Sequence, residues 1–361
     1  MARQIKVTLR GQPKKEYSIR FSGSLRDSAG VITRTVNSPR YFIIADRTVG
    51  SLYGNELLRS FKSHRKSAFL LTFPPGEQYK SRSTKGGLED RILSLGADRE
   101  SVIVALGGGV TGDLAGFVAA TLLRGIRYVQ IPTSLVGQVD SSVGGKVGVD
   151  HPAGKNLVGA FYQPEAVFII LRTLRTLPEI EFRNGIAEII KYGAICDKRL
   201  LAYVERNMNL IQKRMSRALL HVVSECCRIK SQIVGQDERD GSIRRLLNFG
   251  HTIGHAIEHA THYKVGHGHA VAIGMSCEAR IAVSLGLLTR KELGRLVMII
   301  DKFGLPTRSP RGVGMARLIK LTTTDKKSLG GSVRYALPDG LGRGRVDISL
   351  TESEVLRLMT E

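Results

Sequence analysis

Glu188 and Lys191 stand about one helical turn apart in an apolar run, Gly185-Ile-Ala-Glu-Ile-Ile-Lys-Tyr-Gly193. Further on, His251-Thr-Ile-Gly-His255 puts two imidazoles on one helix face, and His267-Gly-His269 follows a short glycine-bearing loop. Two or three imidazoles with one carboxylate can bind a divalent metal and leave a position open for substrate. Spacing alone makes both His251 and His255 ligands. No Glu directly follows His251, so this is not the metalloprotease helix. Glu188 and Lys191 have apolar neighbours on both sides, which predicts that both are largely buried. Buried opposite charges need each other, a metal or a ligand.

A second constellation lies earlier. The apolar run Val102–Leu106 leads into Gly107-Gly-Gly-Val-Thr-Gly112-Asp113, a G-x-G-x-x-G pattern between a strand and a helix. Without Cβ atoms the backbone can approach a pyrophosphate, and the helix N-terminus favours its charge. The plainer reading is a tight turn that packs helix on strand. The stretch from Val139-Asp-Ser-Ser-Val-Gly-Gly-Lys146 to His151-Pro-Ala-Gly-Lys-Asn156 is too polar and glycine-rich for a core element and too long for a hairpin turn. It reads as a ligand loop, with Lys146 and Lys155 available to phosphate or carboxylate. Metal and nucleotide sites in one chain point to an enzyme.

These groups need elements to hold them. Tyr41–Ala45, Ala68–Phe73, Val102–Leu106 and Tyr128–Ile131 read as buried strands, alternating with helices such as Lys85–Leu95 and Val110–Leu123. That alternation predicts a largely parallel, doubly wound sheet. Ile5–Leu9 and Tyr17–Phe21 read as an added antiparallel hairpin. After Pro178 helical periodicity takes over, through Ile180–Ala194, Leu200–Ile211, Met215–Val234, Leu246–Thr261 and Ala270–Leu285, and strand signals nearly vanish until Ser332–Leu337. The expectation is an α/β N-terminal domain over residues 1–175 and an all-α C-terminal domain over 176–361, joined between Leu171 and Pro178.

The 361 residues carry 54 Lys+Arg against 32 Asp+Glu, a net charge of +22. This favours anionic partners, although no block of like charges stands out. Nucleic-acid binding would need a basic face interleaved with aromatics, and with 6% aromatics and no Trp it is not expected. Cys196, Cys226, Cys227 and Cys277 form no CxxC pair or disulfide framework, which fits a reduced compartment. The N-terminus shows no signal-peptide pattern and no apolar run is long enough to span a membrane, so the location expected is cytoplasmic.

Taken in order, Gly107–Asp113, Gln138–Lys146, Gly154-Lys-Asn156, Ala187–Gly193, Leu247-Asn-Phe-Gly-His-Thr-Ile-Gly-His255 and His267-Gly-x-Ala-Val271 resemble the 3-dehydroquinate synthases, from about Tyr41 to Leu337. The first forty residues match loosely. The resemblance implies a Rossmann-like N-terminal domain, a helical C-terminal domain and a homodimer. It implies NAD used catalytically and a divalent metal, Zn2+ or Co2+. It also implies conversion of a phosphorylated, carboxylated sugar, 3-deoxy-D-arabino-heptulosonate 7-phosphate, into 3-dehydroquinate in the shikimate pathway.

By resemblance, Glu188, His251 and His267 bind metal, which moves His255 to the substrate phosphate. Asp46, Glu77, Lys80, Gly108, Gly109, Asp113, Thr133, Ser134 and Asp140 match cofactor positions. Lys146, Asn156, Lys191, Lys230, Arg244, Asn248 and His255 match the substrate site, beside Lys155. Of these, Lys146, Lys191, Lys230 and His255, with Asp140 and Asp240, are the catalytic candidates. Asp240 stands where the family usually has Glu. Lys326 closes the site, with Lys327 as a substitute, and Arg124 reaches the neighbouring subunit's substrate. His269 replaces a usual Glu, as in some valiolone-type relatives. The alternative is therefore another sugar-phosphate cyclase, such as a 2-epi-5-epi-valiolone or 2-deoxy-scyllo-inosose synthase, while Arg244, Asn248 and His255 favour the dehydroquinate reaction.

Overall fold

Strands covered on both faces need nearly continuous apolar sequence, and the four runs expected as strands meet that requirement. In the computed structural model, which describes residues 16–323, 328–329 and 332–360, they are β2 (Arg40–Asp46), β3 (Ser67–Phe73), β4 (Val102–Gly107) and β5 (Arg127–Pro132). Together with β1 (Ser18–Phe21) and β8 (Ala166–Ile169) they make one six-stranded sheet ordered β1-β8-β5-β4-β2-β3. Every pairing in it is parallel. Side chains alternate between two cores. Tyr41, Ile43 and Ala45 of β2 join one, and Phe42 and Ile44 join the other.

The chain places β3 on one side of β2 and β4 on the other. Connections therefore leave the carboxyl ends of β2 and β4 in opposite directions and open a crevice there, where open α/β sheets bind ligands. Asp46 ends β2, and Gly108 and Gly109 follow β4 directly.

Several expectations change. Of the proposed N-terminal hairpin, Ile5–Leu9 lies outside the described residues, and β1 runs parallel to β8 at the sheet edge. Part of the stretch read as a ligand loop forms a hairpin of its own, β6 (Lys146–His151) against β7 (Gly154–Phe161). Gly148 and Gly159 pair across it, and a Cβ on Gly159 would lie 2.1 Å from the Val147 carbonyl oxygen. These glycines permit close strand approach rather than irregular backbone. The helix expected over Leu200–Ile211 breaks into Lys198–Arg206 and Met208–Gln212 at Asn207, whose φ of −113° and ψ of 21° leave the helical range.

The C-terminal half is helical, with a small antiparallel sheet of β9 (Ser328–Leu329), β10 (Ser332–Pro338) and β11 (Gly344–Thr351). Its central elements are Glu179–Ile195, Ser216–Gln236, His251–Ala260 and His267–Ser284. The helix expected from Leu246 starts only at His251, because Gly250 takes a left-handed φ of 78°. The two histidine-bearing helices meet backbone to backbone. A Cβ on Gly274 would lie 2.0 Å from the Gly250 carbonyl oxygen.

That contact gives a test. Gly274→Ala should destabilise the fold by about 1–3 kcal/mol, as overpacking does. Gly294→Ala, on the Arg290–Lys302 helix with nothing within 4 Å of its added Cβ, should be neutral or stabilising. Equal urea midpoints for the two variants would contradict the packing described.

Candidate active site

Glu188 lies mid-helix on Glu179–Ile195 and is 1% exposed, with Lys191 at 2%. Lys191 Nζ lies 2.5 Å from Glu188 Oε2. Two other helices bring imidazoles to the second oxygen, with His251 Nε2 at 3.5 Å and His267 Nε2 at 3.3 Å from Oε1. These are ionic contacts. Neither Glu188 oxygen accepts a well-formed hydrogen bond from any described residue. One donor atom from each of Glu188, His251 and His267 falls within 4.8 Å of the others. A buried carboxylate with unsatisfied oxygens, facing two imidazole nitrogens, suits a divalent cation such as Zn2+ or Co2+. His255 stays outside this set. It is exposed, with its ring centroid 5.5 Å from that of His251 and 6.4 Å from that of His267.

Both histidine helices are fixed at their first turns. Glu278, fully buried, accepts from the Gly250 N–H at 2.6 Å and the Ile253 N–H at 3.0 Å. Asn184 Oδ1 accepts from the Gly268 N–H at 2.9 Å. Burial raises a carboxyl, yet Lys191 and His251 hold Glu188 well below the usual range. Burial acts against a charged imidazole, but Glu188 and Glu258 push His267 up to about 10. The His267 ring is 36% exposed, so water screens part of that effect.

A second cluster joins this one. Asp140, in the wide helical turn Gly137–Ser141, accepts a short hydrogen bond from the Tyr192 hydroxyl. Lys230 Nζ lies 2.9 Å from Asp140 Oδ1 and donates to the Asp140 carbonyl at 2.8 Å. Burial opposes the charge on Asp140, but Lys230 and Lys191 keep its carboxyl low. The two lysines diverge. Burial prevails at Lys230 and lowers it, whereas Glu188 and Asp140 outweigh burial at Lys191 and raise it.

The glycine turn opens the Gly109–Thr121 helix. A Cβ on Gly108 would crowd Ser134 Oγ at 3.1 Å, and one on Gly109 would crowd Ser141 Oγ at 3.2 Å, so bare backbone faces the crevice. Nearby, buried Lys80 bridges Asp113 at 2.6 Å and Asn156 Oδ1 at 2.5 Å. Asp46 caps a short helix by accepting from the N–H groups of Thr48 and Val49. Glu77 begins the turn after β3, and Thr133 and Ser134 follow β5. The positions matched to a nucleotide thus gather at the carboxyl edge of the sheet. This edge, with an open helix N-terminus, suits a dinucleotide.

On the other flank, Lys146 pairs closely with Asp240. Arg244 is buried, and its guanidinium donates to the carbonyls of Glu238 at 2.5 Å and Gly144 at 3.1 Å. No carboxylate among the described residues pairs with it. Lys155 approaches Glu258 at 3.4 Å and lies over the Tyr263 ring. Asn248 ends the turn before Gly250. Arg124 is exposed and makes no ion pair with a described residue, and Lys326 lies outside the described residues. His269 is half-buried in the first turn of the His267–Ser284 helix.

The sequence reading missed several contributors. Tyr192 orients Asp140. Asp237 accepts from the N–H groups of Gly241, Ser242 and Arg244, and so shapes the loop that presents Asp240 and Arg244. Glu258 faces His267 from the end of the His251 helix. For Glu258 a signal existed, because His251, His255 and Glu258 follow i, i+4, i+7 spacing.

His251→Ala should lose bound Zn2+, while His255→Ala should retain it, as read by metal content after gel filtration. Equal loss in both would favour the spacing reading. An ion binding at His267 Nε2 must displace the proton held there, so Zn2+ affinity should rise between pH 6.5 and 8.5, by up to about tenfold per unit. A flat profile would contradict the raised His267.

The chain matches known proteins over most of its length. Family models described as the 3-dehydroquinate synthase N-terminal and C-terminal regions match residues 70–184 and 185–328. The chain is similar to 3-dehydroquinate synthases of Pelotomaculum thermopropionicum (44% identity, 96% of this chain and 94% of that protein) and Pelobacter propionicus (45%, 96% of each). Among solved structures it is similar to a 2-epi-5-epi-valiolone synthase from Streptomyces hygroscopicus with NAD+ and Zn2+ bound (TM-score 0.89, 27% identity, 98% of each chain). It is also similar to a 2-deoxy-scyllo-inosose synthase complexed with carbaglucose-6-phosphate, NAD+ and Co2+ (TM-score 0.86, 26% identity, 94% of this chain and 95% of that one). The cyclases of other specificity share the architecture at far lower identity, and the chain belongs to the 3-dehydroquinate synthase family.

Proposed function

We propose that this protein is a lyase that converts 3-deoxy-D-arabino-heptulosonate 7-phosphate into 3-dehydroquinate and phosphate, with NAD and a divalent cation as cofactors. The observation that carries the reading is the convergence of Glu188, His251 and His267 beside a lysine-rich cleft next to the glycine turn. When bound, NAD supplies a reversible hydride acceptor and the cation a Lewis acid for the substrate's ring hydroxyls.

The chain's residues do the rest. Glu188, His251 and His267 hold the cation, and Gly108, Gly109, Thr133, Ser134, Asp46 and Glu77 line the dinucleotide crevice. Lys80 and Asp113 neutralise one another at its edge. Lys146, Lys155, Asn156 and His255 receive the phosphate, and Arg244 with Asn248 receives the carboxylate. Lys230, lowered by burial against Asp140, is placed to carry a proton, while Lys191 stays charged beside Glu188. Oxidation of a ring hydroxyl to a ketone acidifies the adjacent carbon. Phosphate then leaves by β-elimination, with its own oxygen able to take the proton. Re-reduction of the ketone, ring opening and an intramolecular aldol addition would then close the carbocycle. No net redox change results.

Residues 1–175 would thus serve the nucleotide and 176–361 the cation and substrate. A homodimer would let Arg124 enter the partner's site, with Lys326 closing over it. Among the described residues no helix is long and apolar enough to cross a membrane, and we place the enzyme in the cytoplasm.

The substrate carboxylate gives the sharpest test. A buried arginine left without its partner costs roughly 2–5 kcal/mol, which is about thirty-fold or more in rate. Phosphate release should therefore favour the heptulosonate phosphate over sedoheptulose 7-phosphate and glucose 6-phosphate by at least that factor in kcat/KM. Arg244→Lys should erase most of the preference, since an ammonium cannot grip a carboxylate bidentately. A wild-type preference for sedoheptulose 7-phosphate would replace this reading with the valiolone-type one. EDTA treatment should abolish turnover, and Zn2+ or Co2+ should restore it. Full activity in verified metal-free protein would contradict the assigned centre.

A further inference from the structure

We propose that Glu258, outside the donor set, is a positioning residue that fixes which His267 nitrogen faces the cation and links that ring to the Lys155 strand. The inference rests on the cation site proposed above.

His251, His255 and Glu258 occupy successive turns of one helix face, so Glu258 lies seven residues beyond a donor and looks the same way. It is only 4% exposed, which demands a charged or hydrogen-bonding partner. Its Oε1 has two, Lys155 Nζ at 3.4 Å and His267 Nδ1 at 3.6 Å. The His267 ring thus runs between two carboxylates, with Nδ1 toward Glu258 and Nε2 toward Glu188 at 3.3 Å. A neutral imidazole has one N–H and one lone pair. A carboxylate on the Nδ1 side selects the tautomer with hydrogen there and leaves the Nε2 lone pair pointing at Glu188 and His251. Carboxylates behind ligating histidines act in this way in other metal sites.

The contact also reaches the nucleotide side. Lys155 and Asn156 are neighbours on β7, and Asn156 accepts from Lys80, which pairs with Asp113 at the glycine-turn helix. His267 and the dinucleotide crevice are thus tied to adjacent residues of one strand, through Glu258–Lys155 on one side and Asn156–Lys80 on the other.

The test is Co2+ binding by wild type, Glu258→Gln and Glu258→Ala, measured by competition with a chelator and by the visible spectrum of bound Co2+. Wild type should bind one ion per chain; if it binds none, the cation site itself fails and not the role of Glu258. Glu258→Gln keeps the size and an acceptor, and should keep the spectrum and lose about tenfold or less in affinity. Glu258→Ala should lose about 10–100-fold and shift the spectrum. Wild-type affinity and spectrum in both variants would overturn the proposal. So would a second ion in wild type that is lost in Glu258→Ala, because His255, Glu258 and His267 would then be a donor set of their own.

Discussion

The Glu188 carboxylate is the constraint on which the rest of the structure depends. A charge at 1% exposure with no well-formed hydrogen bond is tolerable only among opposing charges. Lys191 supplies one from the same helix, and His251 and His267 lean in from two others. Three helices must therefore hold their relative positions to within a fraction of an ångström. Glu278 and Asn184 tie down the first turns of the two histidine helices, and Gly274 lets those helices touch at Gly250. These buried polar contacts aim the donor atoms.

The same charge reaches into the α/β half. Lys191 feels both Glu188 and Asp140, and Asp140 is held by Tyr192 and Lys230. Asp140 itself lies in the turn that follows β5, close to the glycine-turn helix. The Glu188 cluster and the turn beside the glycine-turn helix are thus electrostatically linked through Lys191 and Asp140. That proximity suits chemistry in which one carbon must be oxidised, altered and reduced without leaving its place.

Much of this was legible in the sequence. Apolar runs without alternation marked β2 to β5, because in β2, β4 and β5 burial on both faces leaves few polar positions to blur them. Glu188 and Lys191 announced their burial through apolar neighbours. Other features were hidden for physical reasons. The β6–β7 hairpin carries glycines where its strands nearly touch, and glycine there looks like loop. β8 went unmarked although Ala166–Ile169 is fully buried. Spacing could not separate His251 from His255, since both share a helix face; in the folded chain each joins a different donor group, His251 with Glu188 and His267, and His255 with Glu258 and His267. Glu278 and Asp237 bind backbone N–H groups, a role that any surface acid could equally suggest from sequence.

The proposed reaction uses its cofactor and returns it unchanged. The most direct measurement supplies the EDTA-treated, Zn2+-reloaded protein with excess heptulosonate phosphate and less NAD than enzyme, and follows released phosphate together with absorbance at 340 nm. The account predicts many phosphates released per NAD, with 3-dehydroquinate as product and no steady rise in NADH. NADH accumulating in step with product, or phosphate release that stops at one per NAD, would contradict it.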